Sequence, residues 1–385
     1  MKILEITHSF VRFKNDYISR FLLTLFEGLK ESGEEIKVIA PHAEGLKEKE
    51  IISGIDVERF KYAQDWREIL AYKGNMHEIA FSSPFNIVLL FDFIASAFRN
   101  VKKNISDYDI VHLHWWIPFG IPISILTKKY NKPFVISLHG TDVRLIKKIK
   151  PLRFVLKWLS GRVDRFVVVS EFIRRTISKY GIEENKLEVI PMPVEEELFY
   201  PRRHRNSSKI VLTIARFSKQ KRIDRILKVA EKFKGKPVEF HIVGSGEKES
   251  EIKSFIEIHG LYNVKLIPPM KREMIAKKIR KSDLFLLLSE NEGFGMVVVE
   301  SMLSGVPVIL SRSGGFYDLV EDEFNGLLVN GDDYDTVAGA ISRLLENNKF
   351  RSFLIKNGLK SAKKYTRKNI AKKFETLFLA LKKQV

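Results

Sequence analysis

Two glutamates, Glu292 and Glu300, stand eight positions apart in the stretch ENEGFGMVVVESMLSGVP at 290–307. Gly293, Phe294 and Gly295 follow the first, and an apolar run opening with Met296 and Val297 leads to the second. Upstream, residues 284–288 are apolar, few and followed by polar residues, which reads as a buried parallel strand. The layout is strand, glycine turn, helix, with one carboxylate in the turn and one inside the helix. Gly305 stands where a helix C-terminal glycine belongs, and Pro307 opens the next strand. A helix N-terminus offers unpaired N–H groups and a positive dipole end, both of which attract a diphosphate, and glycines let phosphates approach the backbone. Glu300 lies about 7 Å along the helix from Gly295 at about 1.5 Å per residue. There it can accept hydrogen bonds from ribose hydroxyls, and Glu292 from those of a hexose. A plainer reading stands beside this one: a loop surface charge and a helix glutamate with a local partner.

Other residues carry similar chemistry. Arg216 and Lys221 fall in the loop after the apolar run 210–214, where open α/β sheets bind ligands. Arginine grips phosphate oxygens in pairs and lysine acts as a point charge; a solvated basic loop is the alternative. Gly244 and Gly246 make a small turn after another strand. Met270 follows a further one and is as suited to a core as to a ligand. His139, Gly140 and Asp142 end a strand in the first half, and Asp142 either orients His139 or caps a helix. His112 and His114 alternate onto one face of a strand, without a third ligand to complete a metal site. Trp115 and Trp116 follow, suited to stacking on sugars or to core packing.

Together these segments resemble glycosyltransferase family 4. Glu292 and Glu300 with Gly293-Phe294-Gly295 are similar to its E-x7-E signature. Arg216 and Lys221 are spaced like its diphosphate-binding pair, and residues 139–142 resemble its His-Gly-Thr-Asp segment. The resemblance covers most of residues 105–345. It implies two Rossmann-like doubly wound domains facing a cleft, the GT-B fold. The first would be the acceptor-side domain, 1–200, with a final helix at 366–385 packing back on it. The second, 206–365, would bind the nucleotide sugar. Arg216, Lys221, Glu292 and His139 are then the catalytic set, with His139 facing the donor sugar. Gly244, Gly246, Met270, Gly293–Val297 and Glu300 would line the donor site. Trp115, Trp116 and Asp142 lie on the acceptor side.

Two departures stand out. The family's glycine after the lysine is Arg222 here, and the glycines after its first strand are replaced by residues 7–16, where Arg12 or Lys14 would become the anion contact.

The implied reaction is retaining, metal-independent transfer of a hexose from a nucleoside-diphosphate sugar, without a cofactor, to a glycan or lipid-linked hydroxyl. Nucleotide-sugar epimerases and glycan phosphorylases share the architecture. A nucleic-acid-binding protein is a third reading of a net charge of +19, but no reader motif accompanies it.

Composition agrees with a soluble globular chain. It has 385 residues, enough for two or three domains, and no cysteine. The N-terminus reads as a strand and not a signal peptide, and no apolar run of about 18 residues is present. A cytoplasmic location is therefore expected, with the inner face of the membrane as an alternative place within it. Between Thr141 and Arg165 cations exceed acids, with leucines at helical spacing and Phe154 and Trp158 off that stripe. This suits peripheral contact with an anionic membrane, or a solvated basic face over a buried stripe. Residues 85–98 read as a core helix. Strands and amphipathic helices alternate in two series, with a linker expected at 195–208.

Overall fold

The computed structural model describes residues 1–14, 16–72, 76–201 and 209–383. The chain divides into two compact units, Met1–Pro193 with Arg367–Val385, and Val194–Thr366. The division falls at Pro193, ahead of the expected linker. Residues 194–201 group with the second unit, and 202–208 lie outside the described residues.

The first unit is built on eight strands: β1 (Lys2–Thr7), β2 (Glu35–Pro41), β3 (Lys49–Ile52), β4 (Ile55–Phe60), β5 (Ile110–His114), β6 (Phe134–Leu138), β7 (Arg165–Val168) and β8 (Leu187–Val189). Their order is β3-β4-β2-β1-β5-β6-β7-β8, and only β3 with β4 is antiparallel. Strand order reverses between β1 and β5, whose register sets Glu5 opposite His112 and Thr7 opposite His114. The last helix, Arg367–Lys382, lies on the helix Arg20–Glu31. Ile370, Phe374, Phe378 and Leu381 join Leu22 and Phe26 in one core. Gly28 lets the two helices approach: a Cβ there would stand 2.7 Å from Arg367 Cγ and 3.0 Å from Ala371 Cβ.

The helix Pro84–Asn104 corrects an expectation. One face is core, through Leu89, Phe93, Ala97 and Val101. The opposite face leaves Phe85 74%, Val88 60% and Phe91 67% exposed. Together with its short extension to Asp107, it is long and apolar enough to cross a membrane, although no run of about 18 purely apolar residues occurs.

The second unit has six parallel strands: β9 (Lys209–Ile214), β10 (Val238–Val243), β11 (Val264–Ile267), β12 (Leu284–Leu287), β13 (Val308–Ser311) and β14 (Leu327–Val329). Their order is β11-β10-β9-β12-β13-β14. Counted within the unit, this is the doubly wound dinucleotide-fold order. Strands buried on both faces must be apolar throughout, as Leu284–Leu287 is. The order reverses between β9 and β12, so the loops leaving them diverge and open a crevice.

Candidate active site

In the second unit, both loops at that crevice carry residues singled out from the sequence. Lys221 follows β9 and Glu292 follows β12, and their side chains form a direct ion pair. Backbone contacts fix the two loops together. Glu290 N–H donates to the Gln220 carbonyl at 2.9 Å, and Gln220 Nε2 donates to the Asn291 carbonyl at 3.0 Å. From the third side, Gly315 N–H donates to the Glu292 carbonyl at 2.7 Å. A Cβ on Gly314 would lie 2.4 Å from that carbonyl oxygen, so only glycine permits this approach.

Arg222 occupies a left-handed conformation, φ 47°, where the family pattern places glycine. A side chain there costs about 1–2 kcal/mol. Its guanidinium donates to Asp224 at 2.9 Å and to Glu290. Arg225 reaches Glu290 at 2.8 Å, Asp332 and the Leu288 carbonyl at 3.1 Å. These ion pairs hold the strained turn in place of glycine's freedom.

The helix Met296–Leu303 begins at Gly295, φ 92°, with no capping side chain. Among the described residues, no acceptor takes the N–H of Met296 or Val297. The two N–H groups therefore remain available to an anion. Gly293 and Gly295 are half-buried beside Glu292.

Several expected donor contacts take other roles. Phe294 is 2% exposed and packs edge-on against Tyr365 at 5.4 Å, so its side chain belongs to the core. Glu300 is buried, and Arg272 Nη2 donates to it at 2.9 Å while Arg272 Nε donates to Glu195 at 2.7 Å. Burial raises the Glu300 pKa against the pull of Arg272. Arg272, which spacing alone did not single out, thus holds the carboxylate assigned to ribose. Arg216 is 70% exposed and lies 3.6 Å from Glu247, not in the Lys221–Glu292 pair. Gly244 and Gly246 buttress the β9 loop. Cβ atoms there would meet the carbonyl oxygens of Ala215 at 1.9 Å and Phe217 at 2.4 Å. Met270 is half-buried just beyond β11.

In the first unit, the reversal between β1 and β5 gathers a polar cluster. Glu5, His112 and His114 are fully buried, and their ligand atoms all lie within 4.8 Å of one another. Glu5 is thus a third partner that the sequence did not supply. His139 ends β6 and places Nε2 3.0 Å from His114 Nδ1. Trp115 lies over His139 with ring centroids 4.5 Å apart, and its Nε1 donates to Thr141 Oγ1 at 3.0 Å. It remains half-buried at the cluster's edge.

Trp116 is 3% exposed and so is a core residue, out of reach of an acceptor. Arg12 does not await an anion: Asp16 receives its Nε at 2.6 Å and its Nη2 at 3.1 Å. Asp142 takes the capping role at the start of the helix Thr141–Lys148, from within its first turn. Its Oδ1 accepts the N–H groups of Gly140 and Val143, each at 3.0 Å, and its Oδ2 is buried without a partner among the described residues. Burial pushes its carboxyl up to about 7 against those two bonds.

Comparison with known proteins fits this geometry. Residues 194–361 match the family model described as glycosyl transferases group 1, and residues 18–198 match glycosyltransferase family 4. An uncharacterized glycosyltransferase of Methanocaldococcus jannaschii is 28% identical, covering 71% of this chain and 76% of its own. The N-acetyl-alpha-D-glucosaminyl L-malate synthase of Bacillus anthracis is 23% identical, covering 79% and 81%. Sucrose-phosphate synthase from Thermosynechococcus elongatus has the same fold, with a TM-score of 0.82 at 19% identity over 100% of both chains. HepE of Anabaena, in complex with UDP-glucose, gives 0.72 at 19% identity over 98% and 99%.

Two outcomes follow from the geometry. Arg222→Ala keeps the left-handed strain but loses the ion pairs, whereas Arg222→Gly loses both. Denaturant unfolding should therefore find the alanine variant less stable than the glycine variant by about 1 kcal/mol; equal stabilities would refute the strain. Asp142 binds its proton more tightly folded than unfolded, so its stabilisation is complete below about 4 and is lost as pH rises toward about 7. Asp142→Asn should therefore gain in melting temperature relative to the parent across that window, with the difference level above it.

Proposed function

We propose, from the premise that this chain belongs to the family 4 glycosyltransferases of GT-B fold, that it moves a hexose from a nucleoside-diphosphate sugar to a hydroxyl group with retention and without a metal. The observation that carries this reading is the joining of Lys221 and Glu292 at the second unit's crevice, beside a helix with open N–H groups. In this reading the diphosphate takes the N–H groups of Met296 and Val297. Lys221 turns from Glu292 to the phosphate, and the exposed Arg216 swings in from Glu247. Charge growing on the leaving diphosphate is thereby stabilised. Glu292, released from Lys221, accepts from sugar hydroxyls, and the family resemblance assigns His139 a hydroxyl of the donor sugar.

The bond from the anomeric carbon to the phosphate oxygen breaks as the acceptor oxygen bonds to that carbon on the same face. The acceptor's proton passes to the leaving phosphate oxygen. Should a covalent intermediate form instead, Glu292 is the carboxylate assigned to it. Glu300 reaches ribose once Arg272 shares it with the hydroxyls. HepE is described with UDP and with UDP-glucose, which makes uridine donors the first to test.

The acceptor is assigned to the lipid-linked class, at an anionic membrane surface on the cytoplasmic side. Support comes from the apolar face of Pro84–Asn104. That helix packs beside Gly120–Lys129, which packs beside Pro151–Ser160. Phe85, Val88, Phe91, Ile125 and Phe154 are exposed along this layer. Lys147, Lys148, Lys150, Arg153 and Lys157 supply the cations that anionic headgroups attract.

A donor at about 100 times its Kd should add roughly 2.7 kcal/mol of stability, so thermal shifts against UDP-, GDP- and ADP-sugars identify the base. Lys221→Ala should then lower kcat at least about tenfold without loss of fold; unchanged turnover removes Lys221 from the mechanism. Sedimentation with phosphatidylglycerol vesicles should recover the protein, and the double variant Phe85→Asp, Phe91→Asp should recover several-fold less. Equal recovery would show that this face does not meet the bilayer.

A further inference from the structure

The buried cluster of the first unit forms one continuous hydrogen-bond chain. Ser137 Oγ lies 2.8 Å from His112 Nε2, and His112 Nδ1 lies 2.9 Å from Glu5 Oε2. His114 Nε2 lies 2.9 Å from the same oxygen, and His114 Nδ1 lies 3.0 Å from His139 Nε2. Beyond His139 the chain stops, because its Nδ1 is buried and has no partner among the described residues.

Only one arrangement of protons satisfies every link when the imidazoles are neutral. A carboxylate has acceptors and no donor, so His112 Nδ1 and His114 Nε2 must both carry hydrogen. A neutral ring has one N–H, so His112 Nε2 is bare and accepts from the Ser137 hydroxyl. His114 Nδ1 is bare by the same rule and accepts from His139 Nε2–H. His139 Nδ1 is then left bare, a lone pair in a buried position.

We infer that Glu5, acting through His114, fixes the tautomer of His139 so that its Nδ1 is a committed hydrogen-bond acceptor for a substrate hydroxyl. Glu5 and His114 are positioning residues. The inference rests on the assignment of His139 to the donor sugar. The charge states agree with it. Burial holds His114 down to about 4 and keeps His139 well below an ordinary imidazole. Burial would raise Glu5, but His112 and His114 together outweigh it and keep the carboxylate ionised.

The arrangement also makes the sequence intelligible. His112 and His114 share a face of β5 because strand side chains alternate, and parallel register brings Glu5 of β1 opposite His112. A lone carboxylate at 0% exposure would cost several kcal/mol. Two N–H donors lower that cost and, in doing so, orient both rings. A divalent cation seated among the same three residues would reverse the order. His114 Nε2 would give its lone pair to the metal, His114 Nδ1–H would donate to His139 Nε2, and His139 Nδ1 would carry the hydrogen.

Ring-nitrogen NMR of the histidine-labelled wild-type protein, before and after chelator treatment, tests the assignment directly. His139 should show a protonated Nε2 and a bare Nδ1 in both samples. A protonated Nδ1 in either sample would overturn the inference, and one that appears only before chelation would replace it with a metal site. Glu5→Gln supplies one acceptor and one donor, so the His139 signal should become mixed. Donor turnover should fall about tenfold, the rate equivalent of one hydrogen bond formed in the transition state, with little change in KM. Adding Glu5→Gln to His139→Ala should cost nothing further. A single unchanged tautomer, or full turnover, in Glu5→Gln would overturn the relay while leaving His139 in place. Full turnover in His139→Ala would instead remove the reading on which the relay rests. If Glu5→Gln fails to fold, the wild-type spectrum still decides.

Discussion

A parallel sheet leaves a gap at its C-terminal edge only where neighbouring strands send their loops in opposite directions. In the second unit that place is between β9 and β12. The crevice exists through topology, but its usefulness depends on four loops approaching in pairs at backbone distance. Gly244 and Gly246 seat the β10 loop on the β9 loop, and Gly314 and Gly315 seat the β13 loop on Glu292 and Gly293. Each contact is closer than a Cβ allows. The glycines therefore contribute shape, and the charged groups they bring together contribute chemistry.

Electrostatic pairing then sets the resting state of the crevice. Lys221 and Glu292 neutralise one another, and Arg272 bridges Glu300 and Glu195. In the function proposed above, an anionic ligand enters by exchanging partners, lysine to phosphate and glutamate to hydroxyl. The exchange matters because neither side chain need stay uncompensated in a half-buried site, where an unpaired charge is costly. The excess positive charge of the chain is largely a separate matter. Much of it lies on exposed faces, such as the helix Pro151–Ser160 with its neighbouring lysines.

The fold was largely legible because buried parallel strands are short apolar runs and the intervening helices are amphipathic. Strands at Lys2–Thr7, Phe134–Leu138, Val238–Val243 and Val264–Ile267 coincide with those runs. The β3–β4 hairpin escaped notice: KEIISGIDVERF mixes charges into both strands, some facing water on the edge strand β3 and some, Glu58 and Arg59, buried on β4. Lys221 and Glu292 were legible because spacing on a strand–loop–helix unit fixes their place. Glu5 and Arg272 were not. Each meets its partners through distant contacts, Glu5 across strands more than a hundred residues apart and Arg272 between Glu195 and Glu300. Trp116, Phe294 and Phe85 show the complementary limit. An aromatic residue beside a motif has the same appearance in sequence whether it turns inward or out; only packing separates them.

What the chain leaves unpaired is as informative as what it pairs. Backbone N–H groups at Met296 and Val297 are donors without acceptors among the described residues. At His139, Nδ1 is an acceptor without a donor once Glu5 has set the direction of its chain. Phosphate oxygens supply acceptors for the first kind of vacancy, and sugar hydroxyls supply donors for the second. A purely anionic ligand would satisfy only the first, because a bare imidazole nitrogen repels a second lone pair. A neutral sugar would satisfy the second but leave Lys221 with no reason to quit Glu292.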